Sequence, residues 1–547
     1  MSGDNNEAIE AYDKYRTQVE EASDYIEHFD ILETITNVGN DEVFTPAAVC
    51  RRILDALPED VWKHPEYKWL NPFTKNGIFE REIAIRLNES LADQIPDEET
   101  RKKHILQEMI FSIGVTRFCS MVARRTLYYC AYANRADDGV VDPVDGHSVN
   151  GYAIGNGTWF NDEQGNIKTP TAEHYFGKDG KCVHCKISKD SKYTDESQIE
   201  HYAYEFIHST NATYHLSNLF GRQNMKFDVI IGNPPYQLND GGSGASAKPI
   251  YNLFIERAKE LKPRYIAMII PARWYAGGKG LDKFRDRMLH DKHIRILMDY
   301  PNGKDCFPNF SIGGGVCYFV WDSKHNDDCQ YYQTINGDVE GPVSRKLDEF
   351  SVFVRYNESL KILEKIRVKQ KGYFNTIVST RNPFGLESKV RGKNSDDGGC
   401  LKLWSSDGES FIPRNSVDSK IIYIDKWKIL LSKLSAEHAN EPDADGKYRI
   451  LSSLKLLAPG EVCTDSYLVV GKFDTKGEAE NCFGYMKTKF VRFLVMQAVS
   501  SINITRDCFS FVPLMDYSKK WTDEDLNSYF ELTTDEVQFI NSLIREF

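Results

Sequence analysis

The chain has 547 residues, 41% apolar and 12% aromatic, enough to bury two large cores or several smaller ones. Lys and Arg number 68 against 80 Asp and Glu, a formal charge of −12, which excludes a protein that coats nucleic acid by bulk charge but leaves room for a locally basic cleft. The 12 scattered cysteines exclude a disulfide scaffold, and no apolar run nears the ~20 residues of a membrane span. The polar, acidic start is not a signal peptide, so a cytoplasmic protein with no membrane contact is expected.

Residues 1–40 read as a charged helical segment, with Ile9, Tyr12, Tyr15 and Val19 near helical spacing. Residues 41–345 read as one α/β unit. Strands are expected at Tyr67–Leu70, Met109–Val115, Phe227–Ile231, Tyr265–Ile270, Ile294–Tyr300 and Gly315–Trp321. Short apolar runs alternating with helical stretches predict a mostly parallel central sheet. Inside this unit, 136–200 is rich in Gly and Asn and reads as an irregular insertion. Residues 346–547 read as a mixed α+β domain. Near its end, Thr522, and then Thr533 or Thr534, each precede acidic residues as helix starts.

The chemistry concentrates in KFDVIIGNPPYQLNDGG, residues 226–242. A buried strand ends at Gly232 and delivers Asn233, Pro234, Pro235 and Tyr236 to the sheet's C-terminal edge, where ligands of open α/β sheets bind. Two prolines fix the backbone and remove two N–H donors. Asn233 offers a side-chain carbonyl and Pro234 a backbone carbonyl. Two acceptors and an aromatic face suit a planar exocyclic amine, with Tyr236 stacked on its ring. Aligned acceptors favour a pyramidal nitrogen, whose lone pair can attack an electrophilic methyl without a strong base.

This string resembles the catalytic signature of S-adenosylmethionine-dependent amino-methyltransferases, above all the DNA adenine-N6 methyltransferases of bacterial restriction-modification systems. The order of motifs resembles the gamma type, a divergent type II or IIG-like methylase. The resemblance implies a Rossmann-like methyltransferase domain followed by a target-recognition domain. It also implies S-adenosyl-L-methionine as cofactor and double-stranded DNA as partner, with any restriction endonuclease a separate chain. DEVFTPAAVCRRILDAL (41–57) is similar to the opening motif, which puts Phe44, Thr45 and Pro46 beside the methionine part of the cofactor. KWLNPFTKNGIFEREIAIRL (68–87) stands where the family has its acidic-Pro-x-x-Gly-x-Gly loop, so Asn71, Pro72, Phe73, Lys75 and Gly77 are cofactor candidates. Asn71 replaces the usual acid, Lys75 replaces a glycine, Thr116 occupies the place of the acid that grips the ribose, and Asn233 is a cofactor candidate as well as a catalytic one.

Further along, Arg273, Lys279, Arg285 and Arg287 are candidates for phosphate contact, and Phe310 for a wall of the target-base pocket. Cytosine N4, RNA adenine and protein glutamine are alternative substrates for the same string. A DNA-binding specificity subunit with a weakened methyltransferase fold is the reading from another class.

Cys182 and Cys185 form a C-x-x-C knuckle, read either as half of a structural zinc site or as two free thiols. His174, His184, His201 and His208 could complete it, with His174 and His201 the better spaced. In the C-terminal half, Lys426, Lys428, Lys433, Lys487, Lys489 and Arg492 lie among aromatics, as a DNA-reading surface would require. A helix followed by Phe509–Pro513 resembles the end of the family's target-recognition regions.

Overall fold

The computed structural model describes residues 43–128, 132–134, 160–170, 174–184, 188–189, 202–209, 211–237 and 249–547, the last range without 278–279, 311, 336, 396–397, 419–422, 437–441, 444–445 and 500–502. The expected N-terminal helical segment therefore lies outside the described residues, as do Cys185, His201 and Lys279.

The strands β1 (Trp69–Thr74), β2 (Ile110–Gly114), β3 (Ile167–Lys168), β4 (Val229–Gly232), β5 (Tyr265–Pro271), β6 (Ile294–Tyr300), β7 (Val316–Asp322), β8 (Cys329–Ile335) and β9 (Asp338–Arg345) form one sheet. Its order is β3-β2-β1-β4-β5-β7-β6-β8-β9. The core pairs, β2 with β1, β1 with β4 and β4 with β5, are parallel, while β7 runs antiparallel between β5 and β6. The chain moves outward from β1 to β3 and then returns to place β4 on the other side of β1. That reversal is the switch point at which a doubly wound sheet opens a crevice beyond the strand C-termini.

Alternation along each strand feeds two cores. Leu70, Phe73, Ile230, Ile266 and Met268 point to one face. Trp69, Val229, Ile231, Tyr265, Ala267 and Ile269 point to the other. The segment expected to be an irregular insertion contributes β3. Its signal is only two residues long, and it is fixed by the Asn166 side chain, whose amide donates to the Leu106 and Gln107 carbonyls at 3.0 and 2.9 Å. No periodicity marks a strand that short.

Beyond the large sheet, β10 (Cys400–Ser405), β11 (Gly408–Pro413), β12 (Trp427–Ser432), β13 (Leu454–Leu457), β14 (Glu461–Cys463) and β15 (Tyr467–Phe473) form two three-stranded sheets. The second of these packs on the helices Lys476–Lys487 and Lys489–Met496 through Ile429, Leu431, Val470, Tyr485 and Phe490. Thr522 and Thr533 cap the last two helices in reciprocal boxes with Asp525 and Glu536. The C-terminal half is thus mixed α+β. Among the described residues no helix is long and apolar enough to cross a membrane.

Candidate active site

β1 and β4 end side by side at the switch point. After β1 the chain runs through Lys75, Asn76 and Gly77 into the helix Ile78–Ser90. Gly77 caps that helix at φ 79°, and a Cβ there would stand 2.9 Å from the Ala123 Cα of the crossing helix Arg117–Tyr128. Gly232 precedes Asn233 at φ 145°, and a Cβ there would meet the Asn71 Oδ1 at 2.5 Å and the Phe73 ring at 2.6 Å. Both glycines are therefore demanded by close approach as well as by conformation.

Asn233 is 3% exposed. Its Nδ2 donates to the Val43 carbonyl at 3.1 Å and to the Thr45 Oγ1 at 3.2 Å. A carbonyl can only accept, so these contacts fix the amide orientation. The other end of the amide, Oδ1, is left buried with no hydrogen-bond partner. Pro234 and Pro235 are buried, and Tyr236 is half-buried with its hydroxyl enclosed. The hydroxyl lies close enough to feel Asn233 but makes no hydrogen bond of good geometry, and burial pushes its pKa well above the ordinary phenol range. The chain leaving this motif is tied at Ile250, whose N–H donates to the Tyr236 carbonyl at 3.2 Å.

Thr45 thus stands against the catalytic candidate itself, with Phe44 buried beside it and Pro46 leading into the helix Ala47–Asp55. Lys75 crosses the same space: its ammonium donates to the Val43 carbonyl at 2.9 Å, and the residue is 6% exposed. A small cavity is lined by Thr45, Asn71, Lys75, Gly77, Glu80 and Asn233, among others. Phe73 reaches it with one edge, while its ring packs edge-on against Phe254 at 5.6 Å in the core. Two buried polar atoms around the cavity have no partner, Asn76 Nδ2 and Asn233 Oδ1. Such a set fits a polar ligand that supplies both donors and acceptors.

Glu80 was not singled out by the sequence reading. It is fully buried, and its Oε1 accepts from the Asn71 Nδ2 at 2.9 Å and the Ser112 hydroxyl at 2.6 Å. Burial raises its pKa above the ordinary carboxylate range, and the hydrogen bonds from Ser112 and Asn71 pull it back. The acid missing at Asn71 is thus present in space, carried by the next helix. Its signal was an acidic residue three positions after Gly77, on a helix otherwise apolar on that side. Thr116 sits at the end of β2, where its Oγ1 accepts from the Cys119 N–H at 3.1 Å and caps the following helix. Beside it Phe118 is 50% exposed, an aromatic face open at the same sheet edge that the sequence reading also passed over.

Of the substrate candidates, Arg273 is exposed on the turn after β5. It lines a cleft of about 640 Å³ together with Tyr275, Phe353, Tyr448 and Met496, between the large sheet and the C-terminal half. Phe310 is half-buried against the core. Arg285 is ion-paired to Asp282 at 2.9 Å, and Arg287 to Glu256.

Two C-terminal candidates for DNA contact must be withdrawn. Lys428 is wholly buried and donates to the carbonyls of Ile424, Lys426 and Ala458 at 3.4, 3.0 and 3.0 Å. Arg492 is buried too, donating to the Lys487 and Arg545 carbonyls at 3.0 and 2.8 Å. Both charges serve backbone carbonyls that strands and helices leave unsatisfied. Lys433 is turned to Asp465 and Lys489 to Glu546.

The family model of the Eco57I restriction-modification methylase matches residues 108–307. An uncharacterized adenine-specific methylase of Mycoplasma pneumoniae is 48% identical over 307 residues, covering 54% of this chain and 70% of that protein. Among solved structures, the type IIL restriction-modification enzyme MmeI in complex with DNA aligns at TM-score 0.46 and 10% identity, over 88% of this chain and 69% of its own. A nuclease-deletion mutant of the type ISP enzyme LlaGI with a DNA substrate mimic aligns at 0.44 and 12%, over 89% of this chain and 46% of its own. With nearly half its residues shared over most of the Mycoplasma pneumoniae protein, and the Eco57I model spanning β2 through β6, the chain belongs to the adenine-specific methylases of the Eco57I restriction-modification family.

Proposed function

We propose that this protein is a site-specific DNA methyltransferase that moves a methyl group from S-adenosylmethionine to the N6 amine of adenine in double-stranded DNA, within a restriction-modification system. In this reading, cleavage of unmodified DNA belongs to a separate endonuclease chain.

The observation that carries the reading is the Asn233 amide. Val43 and Thr45 take its N–H groups, so only its carbonyl oxygen is left to meet a ligand. That oxygen is an acceptor held without a partner, which is what a substrate N–H requires. With the Pro234 carbonyl beside it and the Tyr236 ring half-exposed, the edge suits an aryl amine stacked on an aromatic face. The acceptors cost no reorganisation as the nitrogen becomes pyramidal, because Asn233 is already held from behind.

The cofactor supplies an electrophilic methyl when bound. Phe44, Thr45, Pro46, Asn71, Pro72, Phe73, Lys75, Gly77 and Thr116 are the residues that would hold it, with Glu80 added from its place beside Asn71. In this reading Arg273 and Lys279 contact DNA and Phe310 walls the pocket of the extruded base. The Asn71 substitution, which favours a non-catalytic subunit in sequence, is offset by the Glu80 carboxylate hydrogen-bonded to it.

Incubation of the purified chain with tritiated S-adenosylmethionine and unmethylated duplex DNA, followed by digestion to nucleosides, tests the proposal. Label in N6-methyladenine is expected. Label in cytosine, in protein or in no product overturns it.

A further inference from the structure

We propose that His174, Cys182 and His208 hold a structural zinc ion. Their ligand atoms all lie within 4.8 Å of one another, and the Cys182 Sγ stands 3.9 Å from the His208 Nε2. Tetrahedral zinc with bonds of about 2.0–2.3 Å sets its ligands roughly 3.3–3.8 Å apart, so the Cys182–His208 pair is already close to that spacing and no pair needs to close by more than about 1.5 Å. Two imidazoles and a thiol, with no carboxylate in the set, match zinc's preference and not that of calcium or magnesium.

The backbone builds the cluster from two separate segments. His174 and Cys182 come from a hairpin closed by the Phe176–Cys182 bridge and by the Val183 N–H, which donates to the Tyr175 carbonyl at 2.8 Å. Gly180, at φ 70°, turns it. His208 ends the short helix Glu205–His208. Arg257 holds that end from the neighbouring helix, donating to the Ile207 and Ser209 carbonyls at 3.3 and 2.6 Å. Cys182 and His208 are both buried although the hairpin around them is exposed at Tyr175, Lys181 and Val183. A small hairpin that leaves Tyr175, Phe176 and Val183 exposed buries little apolar surface of its own, and is the kind of segment a metal fastens.

The position gives the ion a purpose. His208 touches Tyr204, Tyr204 touches Phe254, and Phe254 packs on Phe73 at the cofactor cavity, with ring centroids 6.0, 6.5 and 5.6 Å apart. Zinc would fix the segment that leads into β4 one aromatic layer behind the site. The fold brings His208 to His174 and Cys182, while His201, expected from spacing, lies outside the described residues.

The test uses the full chain purified without chelator. Elemental analysis should find one zinc per chain, and cobalt exchange should give the near-ultraviolet thiolate-to-metal band. Cys182→Ser and His208→Ala should each weaken zinc retention at least about tenfold, since even the loss of an outer partner of a metal ligand costs that much. Cys400→Ser, in the C-terminal half, should retain the ion. Absence of both zinc and the cobalt band in the wild-type chain overturns the proposal without reference to any variant. Full zinc retention by both ligand variants, which would mark an adventitious ion, overturns it too.

Discussion

The Lys75 ammonium and the Asn233 amide donate to one and the same acceptor, the Val43 carbonyl, at 2.9 and 3.1 Å. One backbone oxygen, just ahead of the Phe44-Thr45-Pro46 turn, therefore orients the residue proposed to receive the target amine and holds the cation that fills the cofactor cavity. The two roles can be separated by mutation, because Asn233 keeps a second acceptor in Thr45 and Lys75 does not depend on Asn233.

Asn233→Ala removes the unpartnered acceptor and should lower the methylation rate by roughly 100-fold or more, the scale for losing one preorganised transition-state hydrogen bond. Asn233→Asp keeps an oxygen at that place but loses the N–H groups that Val43 and Thr45 hold. It should fall with Ala in kcat while cofactor binding stays near the wild-type value. Single-turnover methylation of both variants decides this. A wild-type rate in either would remove Asn233 from the chemistry.

Lys75 lines the candidate cofactor cavity while its ammonium is held by the Val43 carbonyl, so the lysine must leave Val43 to reach a bound cofactor. Its charge then meets the carboxylate end of the cofactor. Lys75→Ala should weaken S-adenosylmethionine binding by about 1–3 kcal/mol, the usual worth of a charge-assisted hydrogen bond. Isothermal titration checks it, with Lys75→Gly as the counter-case. Tighter binding by the glycine variant would show that the side chain only obstructs.

The strands of the large sheet were legible because their apolar runs are long and sharply ended: Ile294–Tyr300 is reproduced residue for residue, and Tyr265–Ile270 is extended by one. The Asn233 motif was legible because a Gly-Asn-Pro-Pro-Tyr string after such a run has few other uses. What escaped were pairings between residues far apart in sequence. Nothing local says that Glu80 takes over the acid missing at Asn71, or that His208 faces Cys182. Lys428 misled for a related reason. A lysine in an alternating strand looks exposed, yet three carbonyls at a sheet junction draw it inside, and only the tertiary neighbours reveal them.

Glu80 links the cavity to pH. Its folded pKa is raised above the ordinary 4.5, so the native state binds more protons than the unfolded one as the pH rises past that value. Its contribution is fully present below about 4.5 and is lost as the pH climbs through the folded value. Glu80→Gln keeps an acceptor for Asn71 and Ser112 but cannot ionise. The stability of this variant relative to wild type should therefore grow with pH across the window above 4.5. Urea melts of both proteins at several pH values measure it, and a constant difference would contradict the linkage.

Lys428 has the opposite sign. Burial brings its pKa down from 10.5 to about 8, so the unfolded chain binds the extra proton between those values and native stability rises with pH across them. Lys428→Met should abolish that rise and destabilise the C-terminal half, because three carbonyls lose their donor. It should leave the dependence of DNA affinity on salt unchanged, whereas Arg273→Ala should make the slope shallower by about one. A shallower slope in the methionine variant would return Lys428 to the DNA surface.

Tyr236 separates stacking from hydrogen bonding. Its hydroxyl is enclosed yet bonded to nothing, so Tyr236→Phe removes no hydrogen bond and should keep most of the activity. Tyr236→Ala takes away the ring, and base–aromatic stacking is worth about 1–3 kcal/mol. An adenine drawn out of a duplex must be held against the cost of unstacking and unpairing, a few kcal/mol that is smaller when the base is already mispaired. The alanine variant should therefore methylate a paired target poorly and a mispaired one with partial recovery. Phenylalanine should keep the wild-type ratio of the two rates. Initial rates on matched and mismatched duplexes give the comparison. Equal losses for the alanine variant on both substrates would mean that the ring shapes the pocket without holding an extruded base.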